Sequence, residues 1–288
     1  MSATLTEARP ANATAAAQGT ARKRTPAVPR RRLSRSEKIF IAAVLGPALL
    51  HFLVFQVIPL LFSFALSFTE WQMLKPPRFI ALQNYRELLG DRLFWTSLKN
   101  TFLFTLFYVP PMLAVPLGLA MLVNRPTRAA AFFKAAYFLP VVTSFVVLAM
   151  IFEWIFQAEP SSLANMAVRS VGLPAQSWLQ DSGQALPLLA FLGILKGAAW
   201  NMIYFLAGLQ AIPEAFYEAA KVDGAGPWRT FRSVTLPLLR PTTYFVSVLT
   251  TIGAFQVFDA AYLLTQGGPG DATMTIVYYI YVAGFESF

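Results

Sequence analysis

The chain has 288 residues, of which 56% are hydrophobic and 13% are charged, and its formal net charge is +9. Soluble domains average roughly 45–50% apolar and about 25% charged residues. A water-soluble fold could not bury all the apolar side chains of this chain, so the composition favours a lipid environment. The sequence contains no cysteine and one histidine, His51, which excludes disulfides and thiolate metal sites and argues against a Ser-His-Asp triad.

The chain begins with a basic segment that is rich in Ala, Thr and Pro, over residues 1–37. A basic arm can bind nucleic acid. An apolar run follows directly, however, and the positive-inside rule then favours the cytoplasmic flank of a first membrane helix. We therefore predict a disordered cytoplasmic tail over 1–37, a membrane domain over 38–288, and no nucleic-acid partner.

Five apolar runs are long enough to cross a bilayer, which takes about 20 helical residues. They are Ile39–Phe68, Leu98–Val123, Ala135–Gln157, Ala185–Leu209 and Thr242–Leu264. The first run is too long for a signal peptide and lacks a small-residue cleavage site, so we expect an uncleaved span that Pro59 kinks or ends. The terminal segment, Thr275–Phe288, is shorter than the ~17 residues needed to span, and we expect a short helix at the outer surface.

The distribution of basic residues predicts the orientation of these spans. With a cytoplasmic N-terminus, the residues before Ile39 and the segments 124–134 and 210–241 lie inside, and together they hold 16 of the 23 Lys and Arg residues. Positive charge concentrates on the cytoplasmic side of membrane proteins. The sequence therefore predicts a multi-pass protein of the membrane with its N-terminus in the cytoplasm.

The inside loop over residues 210–241 has the pattern of two short helices with a break. Pro213 suits the first position of a helix, and Gly224 suits the left-handed residue that ends one. Pro227 then suits the start of a second helix. Leu236 precedes a proline and is expected to be extended.

This loop resembles the cytoplasmic signature of binding-protein-dependent permeases, the membrane subunits of ATP-binding-cassette (ABC) importers. The signature reads Glu-Ala-Ala, three residues, Gly, nine residues, Ile, one residue, Leu-Pro. Every spacing is kept, with Val for Ile as the single departure, at Glu218, Ala219, Ala220, Gly224, Val234, Leu236 and Pro237. An amphipathic helix that merely lies on the membrane is the alternative.

Further segments are similar to the carbohydrate branch of these permeases, so that the resemblance covers about residues 38–288. They are Tyr137–Pro140, Leu206–Pro213, Asp223–Ala225, Phe255–Asp259 and Leu263–Pro269. The resemblance implies an all-α transmembrane bundle of the type I importer kind. This sequence predicts five spans, and the sixth span that such permeases usually have is expected to be missing at the C-terminus.

The resemblance also implies the mechanism and the partners. The partners would be a second permease subunit, a dimer of ABC ATPases and an extracytoplasmic solute-binding protein, in the bacterial inner membrane. Glu218, Ala219, Ala220, Gly224, Leu236 and Pro237 would couple ATP binding on the ATPases to movement of the permeases. This chain has no phosphate-binding loop, so ATP and Mg²⁺ would be held by the partner, and the chain is expected to be a transporter subunit with no catalytic residue, metal or cofactor of its own.

Three ionisable residues within or near the spans need an explanation. Lys196 lies near the middle of the fourth span, where a charge is costly unless it faces protein or water, while Glu153 and Asp259 lie near the outer ends of theirs. One interpretation is an inter-helix polar contact that orients the bundle. The other places these groups along the route of the solute.

Similar permeases bind sugar through polar and aromatic residues on the last spans. On that resemblance, Trp200, Asn201 and Gln256 are candidate solute contacts. An ion-coupled secondary transporter or channel is the alternative function, but the inverted repeats and paired broken helices typical of such transporters are not evident. A membrane enzyme would need a cluster of acids, bases or metal ligands, whereas this sequence has only scattered ones.

Overall fold

The computed structural model describes residues 34–71, 76–124 and 128–286. Most of the predicted tail over 1–37 therefore lies outside the described residues. The chain divides into two compact units, with the boundary after Phe79, and each unit is described by itself below.

The first unit consists of one long helical run and a small β ladder. The helical run comprises α1 (Arg35–Phe52), a π-helical turn (Leu53–Val57) and α2 (Ile58–Leu66). The antiparallel strands β1 (Thr69–Glu70) and β2 (Arg78–Phe79) follow. The run begins at Ser34, whose hydroxyl accepts from the Glu37 backbone while the Glu37 carboxylate accepts from the Ser34 backbone, a capping box that fixes the start of the helix.

The helical run does not end at Pro59, which was one of the two outcomes expected there. Pro59 lies in the first turn of α2, directly after the π-helical turn. The wider π turn interrupts the regular hydrogen-bond ladder where the proline ring would otherwise meet a carbonyl, so the chain stays helical over 32 residues.

The second unit begins with four helices that include the second and third predicted spans. They are α3 (Gln83–Gly90), α4 (Arg92–Val123), α5 (Arg128–Val142) and α6 (Phe145–Ile155). Asp91 caps α4 by accepting from the Leu93 backbone at 2.7 Å, so this helix begins six residues before the apolar run. The third predicted span is two helices, because the chain bends by 111° between α5 and α6.

Eight further helices complete the second unit. They are α7 (Leu163–Ser170), α8 (Ala185–Gln210), α9 (Glu214–Val222), α10 (Pro227–Thr230), α11 (Leu236–Leu238), α12 (Arg240–Phe255), α13 (Asp259–Leu264) and α14 (Ile276–Tyr281). A 3-10 turn (Trp178–Gln180) precedes α8, a π-helical turn (Phe231–Thr235) joins α10 to α11, and another (Val282–Glu286) follows α14.

Helix length and apolarity support fewer clear spans than the five predicted. Among the described residues, three helical runs are long and apolar enough to cross a membrane: Arg35–Leu66, Arg92–Val123 and Ala185–Gln210. The bent pair α5 and α6 makes a fourth if it is one span. The fifth predicted span is interrupted at residues 256–258, between α12 and α13.

Helix α8 is the centre of the second unit. It packs along the length of α4, and α12 and α5 pack against it as well. Buried side chains form two clusters along this bundle, one around Leu189 and Leu192 and the other around Met202 and Phe205. Both clusters include residues of α8, so this helix takes part in the packing along the whole bundle.

The segment that follows α13 is held firmly against the start of α4. The Asn100 amide donates to the Asp271 and Met274 carbonyls at 2.7 and 3.0 Å. Tyr279 donates to the Asp91 carboxylate at 2.6 Å, and this bond holds the pKa of Asp91 below its usual value. Gly267 and Gly270 have positive φ, so this segment turns tightly at positions where glycine is the favoured residue.

Candidate functional site

The loop that carries the Glu-Ala-Ala motif folds into a helix with a sharp end. Helix α9 begins at Glu214 with Pro213 as its N-cap, one residue later than expected. At its other end Gly224 has φ +70°, and the Ala225 backbone donates to the Ala220 carbonyl at 2.9 Å. The left-handed glycine expected at this position is therefore present, and it closes the helix as glycine C-caps do.

The second half of the loop is more helical than expected. Helix α10 starts at Pro227, as predicted. Leu236, however, has φ −63° and ψ −43°, so the prediction of an extended residue before Pro237 was wrong. The preceding π-helical turn leaves room for the proline ring, and Pro237 lies in the first turn of α11, where a missing N–H has no cost.

Helix α9 is attached to the loop on one side and exposed on the other. Ala220 is buried, and the hydroxyls of Tyr217 and Thr235 lie 3.3 Å apart. The side chains of Phe216 and Val222 are exposed, at 50% and 87%. The loop therefore presents an apolar surface with no partner in this chain's described part, as a docking surface would.

The structure places the predicted coupling residues on both halves of this loop. Glu218 and Ala219 lie on the exposed side of α9, and Gly224 ends that helix. Leu236 and Pro237 lie in α11, the short helix that leads into α12. A displacement of α9 would therefore act on the α12 helix through only a few turns of chain.

An open pocket of about 280 Å³, called the cavity below, lies between helices of the bundle. Its walls come from α4, α6, α8, α12, α13 and the break before α13. The lining residues are Phe104, Tyr108, Phe145, Gly193, Lys196, Gly197, Gly253, Val257, Phe258, Asp259 and Ala260. Aromatic rings with a few charged groups and glycines are the kind of lining that small-molecule sites have.

Glycines shape the walls of this cavity in two ways. At Gly193 and Gly197 an added Cβ would lie 3.0 Å from the Tyr108 ring and 2.9 Å from the Met112 methyl, so these glycines allow α4 to approach α8 closely. At Gly253 an added Cβ would meet nothing within 4 Å. This third glycine therefore leaves space open where a side chain would fit.

The three predicted solute contacts are not among the residues that line this cavity. Trp200 is 55% exposed, and Gln256 is exposed in the break between α12 and α13. Asn201 is buried, and its amide donates to the Thr250 hydroxyl at 2.9 Å and the Met112 carbonyl at 3.3 Å. In this conformation Asn201 joins α8 to its neighbours, and its contact with solute stays a prediction.

The charged residues of the spans divide between two places. Lys196 and Asp259 line the cavity within the bundle, whereas Glu153 lines a separate pocket of about 620 Å³ beside the Gly268–Pro269 turn. The glycines and aromatics of the cavity were missed as site residues. The glycines within the apolar runs were the sequence signal that could have identified this cavity, since a glycine inside a helix often has a packing or functional reason.

Comparisons with known proteins support the family that the Glu-Ala-Ala loop indicates. The family described as "Binding-protein-dependent transport system inner membrane component" matches residues 114–285. The arabinooligosaccharides transport system permease protein AraP of Bacillus subtilis is 36% identical over 243 residues, covering 83% of this chain and 76% of that protein. The lactose transport system permease protein LacF of Rhizobium radiobacter is 35% identical over 248 residues, covering 84% and 82%.

The fold is shared with a solved transporter. A chain of a bacterial alginate ABC transporter, crystallised with an alginate pentasaccharide-bound periplasmic protein, superposes with a TM-score of 0.73 at 24% identity, covering 87% of this chain and 85% of that one. The helical bundle, the apolar spans, the Glu-Ala-Ala loop and these relatives agree. The chain belongs to the family of binding-protein-dependent transport system inner membrane components.

Proposed function

We propose that this chain is a membrane-spanning permease subunit of an ATP-driven ABC importer that carries a sugar or a related solute. The observation that carries the proposal is the Glu-Ala-Ala loop, with its glycine-ended helix and its exposed apolar face. The relatives named for arabinooligosaccharide and lactose transport support a sugar as the solute. No observation favours an ion-coupled transporter or channel.

In the proposed mechanism, α9 docks on a separate ABC ATPase. Phe216 and Val222 supply apolar contact area, and Glu218 supplies a charge beside them. Two ATPases would bind ATP and Mg²⁺ and hydrolyse the nucleotide, while this chain contributes no catalytic group. Closure of the ATPases on ATP favours one of two permease conformations, because the docked loop binds better in one of them.

The proposed route of the solute passes through the cavity beside α8. An extracytoplasmic solute-binding protein would release the sugar to a pair of permeases, of which this chain is one. The rings of Tyr108 and Phe258 offer apolar faces for a sugar, and Asp259 offers a hydrogen-bond acceptor. Trp200, Asn201 and Gln256 remain proposed contacts for the solute as it approaches or leaves this cavity.

The test of this function is the reconstitution of ATP hydrolysis. We expect the full-length chain to co-purify with an ABC ATPase and with a second permease. In proteoliposomes, ATP hydrolysis by this complex should rise when the cognate binding protein is added with its sugar. Purification of the chain without any ATPase, together with uptake driven by an ion gradient, would instead identify a secondary transporter.

The proposed orientation places the N-terminus and the Glu-Ala-Ala loop in the cytoplasm of a bacterial inner membrane. Because the chain has no cysteine, single cysteines can be introduced without background. Ser233 and Ser161 are both exposed. We expect Ser161→Cys to react with a membrane-impermeant maleimide in spheroplasts, and Ser233→Cys to react only after permeabilisation.

The two cysteine variants control for each other, because they carry the same substitution on opposite sides of the proposed bilayer. Labelling of Ser233→Cys in intact spheroplasts, with protection of Ser161→Cys, would mean that the charge asymmetry has been assigned to the wrong side.

A further inference from the structure

The ammonium group of Lys196 lies at the break between α5 and α6. Its Nζ donates to the Thr143 carbonyl at 2.8 Å, and to the Pro140 and Val141 carbonyls at 3.3 and 3.4 Å. The ring of Phe145, at the start of α6, lies 5.9 Å from the same nitrogen. One side chain of α8 therefore contacts both sides of a bend in the neighbouring span.

The break leaves these carbonyls in need of a donor. The last carbonyls of any helix have no partner within it, which applies to Pro140 and Val141 because α5 ends at Val142, and Thr143 follows in the break itself. In a bilayer such groups must be satisfied inside the protein. They also carry the negative end of the helix dipole, so a cation is the favoured partner, and an aromatic ring face adds to its attraction.

The positive charge of Lys196 is balanced here by carbonyl dipoles, not by a carboxylate. Among the described residues, no Asp or Glu oxygen lies within ion-pair distance of its Nζ. Asp259 lines the same cavity without making that pair. A charge in the middle of a span is retained only where the protein compensates it, so the carbonyl cluster is what makes a lysine acceptable on α8.

We propose that Lys196 is a positioning residue, a tethered cation that holds the bend between α5 and α6 and so keeps Phe145 in the wall of the cavity. In ion-coupled transporters, carbonyls at the ends of broken helices coordinate a mobile ion. Here the ammonium group of Lys196 takes the place of such an ion beside the carbonyls of the break. The bend is thus held without an ion that could be exchanged during the transport cycle.

Direct binding of the solute by Lys196 is the competing interpretation, and the geometry argues against it. An ammonium has three N–H donors, and three carbonyls take them in this structure. A sugar hydroxyl would have to displace one of these bonds. The lysine therefore acts on the cavity through the position of α6, and this inference holds whichever solute is carried.

The test measures the bend directly. Ala136 in α5 and Trp154 in α6 are both exposed, and the chain contains no cysteine, so a pair of spin labels can be placed at these two positions. An unbroken helix would place them ~27 Å apart. A bend of 111° brings them much closer. Pulsed electron-spin resonance on the full-length chain, in nanodiscs with its co-purifying subunits, reports that distance.

We expect Lys196→Met, which keeps an unbranched side chain one atom shorter and removes its charge and donors, to add a population at longer distances. Lys196→Arg keeps the charge and donors and should retain the short distance. Lys99→Met, the same change at an exposed lysine of α4, is the matched control and should change nothing. If Lys196→Met does not accumulate in the membrane, Lys196→Gln takes its place.

Two results would overturn the proposal. One is a distance distribution in Lys196→Met, or its replacement, that matches the unsubstituted chain. The other is an equal change in Lys196→Met and Lys196→Arg, because side-chain shape and not the cation would then hold the bend. Neither result depends on transport, so failure of this proposal is distinct from failure of the importer assignment.

Discussion

Gly224→Asp and Glu218→Lys are expected to abolish solute uptake while leaving the chain in the membrane. Gly224 has φ +70°, and an added Cβ would meet no atom within 4 Å. The cost of a side chain there is therefore a cost of backbone conformation, about 1 kcal/mol or more for a residue other than glycine. Relief of that strain would reorient the end of α9, which is the part proposed to dock on the ATPase.

Charge reversal at Glu218 tests the same contact by a different route. Glu218 is exposed on α9, and no side-chain hydrogen bond to it is found in the described part of the chain. Its replacement by Lys should therefore change folding little, since exposed charges rarely contribute more than ~1 kcal/mol to stability. A loss of uptake in this variant would report on the partner surface and not on the stability of the loop.

Uptake of the cognate sugar and binding-protein-stimulated ATP hydrolysis are the two measurements, with membrane content determined by immunoblot. Gly226→Asp is the matched control, because Gly226 has an ordinary φ of −68° and is the N-cap of α10, where Asp is favoured. It should transport normally. Normal uptake and normal stimulation in both Gly224→Asp and Glu218→Lys would show that this loop is not the coupling element.

The parts of the fold that were predictable from sequence are those fixed by one local cause. An uninterrupted apolar run is sufficient to identify α4 and α8 as spans, because lipid requires length and apolarity together. The left-handed residue at position 224 was equally predictable, since only glycine adopts that conformation at low cost. Such features depend little on what lies elsewhere in the chain.

The features that sequence did not reveal depend on contacts between distant elements. The break between α5 and α6 lies inside a continuous apolar run. The carbonyl groups at the break accept hydrogen bonds from Lys196, which is more than 50 residues away in sequence. Asn201 looked like a solute contact, yet its amide is used by Thr250 on another helix. Periodicity and composition describe one segment at a time, so neither pairing was visible before the helices were placed together.

The cavity beside α8 gives the second prediction of large effect, at Gly253. A Leu side chain at this position has free space on the protein side, because no atom lies within 4 Å of an added Cβ. Gly253 lines the cavity of about 280 Å³, so a Leu side chain here would reduce the space open to a solute. Replacement of a helical glycine also tends to stabilise the helix, by roughly 0.8–1.0 kcal/mol for a good helix former, so a loss of function would not be a loss of folding.

We expect Gly253→Leu to lower uptake at least about tenfold, equivalent to ~1.4 kcal/mol of lost stabilisation of the bound solute, and Gly253→Ala to have a smaller effect. Gly118→Leu is the matched control: Gly118 is also a helical glycine with nothing within 4 Å of an added Cβ, but it does not line the cavity. Unlike the loop variants, Gly253→Leu should keep its binding-protein-stimulated ATP hydrolysis, because α9 is unchanged. Blocked uptake with intact stimulation would place the cavity on the solute route, whereas equal uptake by Gly253→Leu and Gly118→Leu would place that route elsewhere in the bundle.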